Sequence, residues 1–220
     1  MNIFDILGPV MVGPSSSHTA GAARIGLIAR QLLGCTPEKA EIYLHGSFAD
    51  TGKGHGTDRA LVAGLLGMEP DDPRIPVSFD AAGECGMEFT ISETVLRDAH
   101  PNTARLILHG KDGRRVDVQA SSLGGGRIQV NKLDGMDVCF SGNCNTLIIY
   151  NEDRPGLVAD VSSLLASVSV NIGTLQLFRD KRGGTAVMVY EIDHPLSPEL
   201  VQVLEQFDGI LKATYINVKL

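Results

Sequence analysis

Ser15, Ser16, Ser17, His18 and Thr19 set four hydroxyls and one imidazole side by side, just after Gly13 and Pro14 and just before an apolar segment. The first amides of a helix lack internal partners, and the helix dipole is positive there. Hydroxyl donors at such a point suit an anion, and a carboxylate or a phosphate is the natural guest. Plain helix capping needs one Ser or Thr, so three serines and a histidine exceed what capping explains.

A second polar stretch joins them: Gly52, Lys53, Gly54, His55, Gly56 and Thr57 alternate glycine with a lysine and a histidine. Alternating glycines let backbone approach a ligand closely, and Lys53 and His55 supply charge and a titratable ring. The stretch fails as a phosphate loop of the Gly-x-x-x-x-Gly-Lys-Ser/Thr kind. Gly46 is one residue too far from Gly52, and Gly54 stands where the metal-binding hydroxyl belongs. A third segment, residues 121–126, reads as a bulge or tight turn as readily as a ligand contact.

The elements that would position these groups follow from periodicity. A short helix is expected over 2–7. Ala23, Leu27, Ile28 and Leu32 recur at helical spacing over 20–33, with Gly34 as the stop. A strand over 39–44 leads through the glycine-rich loop 46–57 into a helix over 58–66, with Asp58 as its N-terminal charge. Residues 69–76 read as a proline-rich connector. Strands are expected over 87–92, 103–108, 114–120 and 127–133, and the pattern-free 134–145 reads as a connection between domains. Beyond it come a strand over 146–150 and a helix marked by Leu157, Val161, Leu164, Leu165 and Val168. Strands over 172–179 and 185–192 follow, then a helix marked by Leu200, Val203, Leu204 and Phe207, and a strand over 210–218. Strand-helix-strand-strand-helix-strand is the split βαβ arrangement.

A chain of 220 residues with 43% hydrophobic content has room for two small cored domains. The net charge of −7 argues against nucleic acid. No run reaches the apolar length of a membrane span, and the N-terminus lacks a basic secretory start, so a cytoplasmic protein is expected. Cys35, Cys85, Cys139 and Cys144 then read as reduced thiols, and none forms a Cys-x-x-Cys pair.

The run from Gly13 to Thr19, followed by Arg24, Ile25 and Gly26, then Thr51 to Asp58, closely resembles the β chain of bacterial iron-sulfur-dependent L-serine dehydratase. The resemblance covers essentially the whole chain, including Ser-Leu-Gly-Gly-Gly at 122–126. It implies a lyase that converts L-serine to pyruvate and ammonia, with this chain as the subunit that does not carry the cluster. A partner α chain would supply the cysteines for a [4Fe-4S] cluster, in keeping with the missing cluster pattern here. Ser15, Ser16, Ser17 and Thr19 would hold the serine carboxylate, while Lys53 and His55 close the cleft. His18 would orient substrate or relay a proton, with the general base left open between it and the partner. No residue of this chain is assigned as a metal ligand.

Asn151, Glu152, Asp153, Arg154, Pro155, Gly156 and Leu157, with Val170, Asn171 and Ile172 after the helix, resemble an ACT domain. The resemblance implies a βαββαβ ferredoxin-like fold that pairs with itself. It also implies an amino-acid effector held by Asn151, Asp153 and Asn171. Serine-binding relatives often carry histidine where Asn151 stands and asparagine where Asp153 stands, so the effector stays open. The whole is then α+β: a mixed α/β first domain over 1–140, like the allosteric substrate-binding domain of some phosphoglycerate dehydrogenases, a linker at 141–146 and the ACT domain over 147–220. The alternatives are an amino-acid-binding regulator without catalysis and a pyridoxal-phosphate enzyme using Lys53.

Overall fold

The computed structural model describes residues 10–217, so the helix expected over 2–7 lies outside the described residues. The chain divides into two compact units, residues 1–134 and 135–220.

In the first unit the hydroxyl run winds into a single π-helical turn, Ser16–Ala20, which continues directly into α1, Gly21–Leu33. Such turns are uncommon and often mark functional sites. Ser15 caps it, its hydroxyl accepting from the His18 amide. Gly34, at φ 81°, ends α1 by turning its N–H back to the Arg30 and Gln31 carbonyls. The strands β1 (Lys39–His45), β2 (Glu88–Thr94), β3 (Thr103–His109), β4 (Arg115–Gly124) and β5 (Arg127–Leu133) lie in the order β2-β1-β3-β4-β5. β1 and β2 are parallel, and the pairs β1–β3, β3–β4 and β4–β5 are antiparallel. Alternate residues of β3 and β4, among them Leu106, Leu108, Val116 and Val118, are fully buried and face the helical layer that α1 begins.

The stretch expected as a glycine-rich loop is helical. α2 spans Ser47–His55 and α3 spans Thr57–Leu65, joined by Gly56 at φ 68°. Three features explain why. Phe48 is buried completely and anchors α2. Asp50 sits in its first turn, with Lys53 and His55 in its last, as the dipole favours. Gly52 is closely packed, since a Cβ there would come within 3.3 Å of the Thr57 Cβ. α3 then crosses α1 at a point with no side chains. A Cβ on Gly26 would meet the Leu61 carbonyl oxygen at 2.3 Å, and one on Gly64 would meet that of Ala23 at 2.1 Å. A helix at α4, Ser78–Cys85, follows a short 3-10 turn at Ile75–Val77; neither was legible in the sequence.

In the third expected segment, β4 runs on to Gly124 with register shifts on both sides of Ser121 and Ser122. Gly125 and Gly126, at φ 61° and 73°, make the turn. This is the bulge-and-turn reading.

The second unit begins earlier than the expected linker at 141–146. The pattern-free stretch holds a five-residue strand, β6, Met136–Phe140. Asp134 and Gly135 both take positive φ before it, the pair favoured in two-residue turns, and β6 is too short to announce its alternation. The strands β7 (Asn145–Glu152), β8 (Ile172–Arg179), β9 (Thr185–Ile192) and β10 (Ile210–Ile216) form a sheet in the order β10-β7-β9-β8. The pairs β10–β7, β7–β9 and β9–β8 are antiparallel. α5, Leu157–Ser167, and α6, Pro198–Glu205, pack on it. Leu147, Ile149, Leu157, Val161, Leu165, Met188, Tyr190 and Leu204 are the heart of this core. Proline at the start of α6 and a Ser197 hydroxyl accepting from the Leu200 amide fix its N-terminus. This is the expected βαββαβ order.

Candidate functional site

His18 is the hub of the first unit's polar cluster. The π-turn carries its ring toward the N-terminal half of α2. On one side, Nδ1 lies 3.1 Å from Ser17 Oγ and 3.4 Å from Ser15 Oγ. On the other, Nε2 lies 3.0 Å from Ser47 Oγ and 3.1 Å from Thr51 Oγ1. Ser47 and Thr51 are one helical turn apart, so α2 presents both hydroxyls to the same nitrogen. The Phe48 ring meets the imidazole edge-on at 5.4 Å, and the His55 ring lies at 5.1 Å. Burial holds the His18 pKa below its ordinary value of 6.5, with the His55 ring adding to the effect and a hydrogen bond to the Ser47 backbone opposing it. The ring is therefore neutral near pH 7.

Thr19 donates from Oγ1 to the His55 carbonyl at 3.0 Å and so ties the π-turn to the last turn of α2. His55 Nδ1 is buried without a hydrogen-bond partner. Beside this junction opens a cleft of about 210 Å³, lined among others by Gly13, Thr19, Lys53, His55, Arg59 and Ile75. Lys53 and Arg59 make it cationic.

Of the residues expected to act together, the structure gathers Ser15, Ser17, His18, Thr19, Lys53 and His55 in one place. Ser16 contributes its carbonyl, which accepts the Gly21 N–H. Three members were missed: Ser47, Thr51 and Arg59. The i, i+4 spacing of Ser47 and Thr51 was readable, but only on the premise that residues 47–55 are helical.

Gly21 closes the back of the site. A Cβ there would fall 2.0 Å from Ser122 Oγ, an atom buried without a partner. Arg24 reaches across to the Gly126 carbonyl at 3.0 Å, and burial lowers its pKa.

The proposed effector residues of the second unit do not meet within one chain. Asn151, which is buried, pairs with Ala186 at the start of β9, and Asp153 lies just beyond. Asn171 instead adjoins the far end of β9, its Nδ2 donating to Asp193 Oδ2 at 2.6 Å. Six residues of strand separate the two ends, roughly 20 Å. Asp153 Oδ2 accepts from the Gly183 amide at 2.8 Å and pairs with Arg179 at 3.1 Å. The Gly183 amide, with Arg179 assisting, lowers its pKa. Asn151 Oδ1 is buried with no partner.

None of the four cysteines forms a disulfide. Cys35 and Cys85 lie in the first unit, Cys139 and Cys144 in the second. Among the described residues no group of three or more His, Cys, Asp or Glu side chains is arranged to hold a metal ion. Burial, with Glu191 and Asp193 nearby, raises the Cys144 pKa, the reverse of what a thiolate ligand needs. By themselves the described residues of this chain therefore do not offer a ligand set for an iron-sulfur cluster. Among the described residues no helix is long and apolar enough to cross a membrane.

The sequence matches the family described as Serine dehydratase beta chain over residues 2–88 and the ACT domain family over residues 145–209. It is 39% identical over 217 residues to the probable L-serine dehydratase, beta chain, of Bacillus subtilis, covering 98% of this chain and 97% of that one. It is equally 39% identical over 216 residues to the L-serine dehydratase, beta chain, of Peptoniphilus asaccharolyticus, with the same coverage of 98% and 97%. A D-3-phosphoglycerate dehydrogenase of Archaeoglobus fulgidus is 27% identical over 202 residues, 90% of this chain but 37% of that relative. Two relatives matched end to end, together with the two family matches, establish that the chain belongs to the L-serine dehydratase β-chain family and ends in an ACT domain.

Proposed function

We propose that this chain works in the cytoplasm as the β subunit of an enzyme that converts L-serine to pyruvate and ammonia, beside an α chain that holds a [4Fe-4S] cluster. The observation that supports it is the His18 cluster, set at the edge of a cationic cleft. The cleft suits the carboxylate of a zwitterion: Lys53 and Arg59 supply positive charge beside Thr19, while the Ser15 and Ser17 hydroxyls turn to His18. Burial, with the His55 ring that shares the wall adding to it, keeps the His18 ring neutral, ready to accept a proton.

The overall reaction removes the α-proton and the β-hydroxyl of serine as water. The resulting enamine tautomerises to an imine, which takes up water and releases ammonia and pyruvate. His18 would carry the α-proton.

In the second unit we propose that an amino-acid effector, if it touches both Asn151 and Asn171, lies between two copies of the ACT domain, since one copy holds them at opposite ends of β9.

Co-purification with the partner chain and assay on L-serine test the reading. His18→Ala should lower kcat by about 10²- to 10⁴-fold with the circular dichroism unchanged, and Thr19→Val, at the cleft wall, should raise KM. Wild-type kinetics in both variants would remove the π-turn from the mechanism. An active pair whose iron content is nil would remove the cluster.

A further inference from the structure

We infer that His18 is held as the tautomer protonated at Nε2, by Ser47 and Thr51 acting as positioning residues, so that any proton it takes up enters at Nδ1, on the side of Ser15 and Ser17. The inference gains its catalytic meaning from the reading of His18 as a proton carrier, but the tautomer stands on hydrogen-bond geometry alone.

A neutral imidazole has one N–H and one lone pair, and neighbouring groups decide which nitrogen has which. Thr51 settles it. Its hydroxyl carries one hydrogen, and Oγ1 lies 2.8 Å from the Ser47 carbonyl one turn back, an acceptor that cannot reciprocate. With that hydrogen committed, Oγ1 presents only lone pairs to His18 Nε2 at 3.1 Å. Were Nε2 bare, two lone pairs would face each other at hydrogen-bond distance. With Nε2 protonated, Thr51 Oγ1 and Ser47 Oγ share the donor, and both contacts are favourable.

The remaining groups then fall into one direction. Ser17 Oγ donates to the bare Nδ1 at 3.1 Å, and Ser15 Oγ donates to Ser17 Oγ at 3.3 Å. Ser15 Oγ in turn accepts the His18 amide. The relay runs from Ser15 through Ser17 and His18 to Thr51 and ends on the Ser47 carbonyl, each hydroxyl donating once. Chains ordered in one direction polarise their members and strengthen each bond. The opposite direction would require Thr51 to abandon its carbonyl.

The full 220-residue chain carries six histidines. With nitrogen-15 in their rings, long-range correlation spectra distinguish a bare from a protonated nitrogen at each. His18→Asn identifies the signal by its loss. The wild type should show His18 protonated at Nε2 and bare at Nδ1. The double variant S47A/T51V removes both acceptors. It should lower the Nε2–H to Nδ1–H ratio about three- to tenfold or more. Thr51→Ser, which keeps the hydroxyl, should restore the wild-type pattern. In the complex with the partner chain, S47A/T51V should lower kcat with little change in KM. A wild-type spectrum with the proton on Nδ1, or an unchanged ratio in a folded S47A/T51V, overturns the inference. If the wild type shows the expected tautomer and the complex leaves serine untouched, the tautomer assignment stands and the proposed function fails.

Discussion

A histidine whose two nitrogens both meet hydroxyls has exchanged water for partners that do not ionise near neutral pH, and this decides how the site responds to acid. Burial beside His55 lowers the His18 pKa below 6.5, so the unfolded chain takes up a proton at this position before the folded chain does. The sign follows: the contribution of His18 to stability is fully present above pH 6.5 and is lost as pH falls through that value toward the lowered one. His18→Gln, which cannot titrate, should flatten the stability curve between pH 7 and pH 5 in denaturant titrations. An identical slope in both proteins would show that the ring is not held neutral by the fold. At this scale the sequence was informative about types and silent about partners. Ser15, Ser17, His18, Thr19, Lys53 and His55 announced themselves by composition. Ser47 and Thr51 did not, because a hydroxyl's role depends on what faces it across a turn of helix.

At the level of elements, what was hardest to read was glycine. Six glycines fall within residues 46–67, and by composition that is a loop. The structure uses them for close contact and for corners. Gly52 makes room for Thr57, Gly64 lets α3 meet α1, and Gly56 turns the chain between α2 and α3. Gly64→Ala would drive a methyl group to within 2.1 Å of the Ala23 carbonyl oxygen, and backbone cannot step aside as a flexible side chain can. The expected cost is about 1–3 kcal/mol, seen as a fall in Tm of roughly 3–10 °C. An unchanged Tm would mean the helices have slack that the geometry does not show. Strands were easier. β5, β8 and β9 have the expected bounds: β5 and β8 alternate in burial along their length, and β9 is a nearly continuous apolar run buried on both faces. β6 was lost to its brevity and α4 to its neutral composition.

Across the whole molecule the cationic cleft lies in one unit and Asn151, whose buried Oδ1 lacks a partner, in the other. Asn171→Ala should therefore alter self-association or the response to an amino acid and leave kcat on serine within about twofold. Sedimentation and steady-state kinetics on the same preparation read both, and a collapse of kcat in a folded complex would show that the units are not separable in function. The order of elements in the second unit was legible because βαββαβ repeats its pattern plainly. The first unit was not, since its sheet order β2-β1-β3-β4-β5 depends on which strands are neighbours in space. The scattered thiols carry a practical consequence. Cys144 is exposed, yet its raised pKa keeps it in the unreactive protonated form. It should alkylate slowly at pH 7 and faster as pH rises, read by comparing the mass spectra of iodoacetamide-treated wild type and Cys144→Ser.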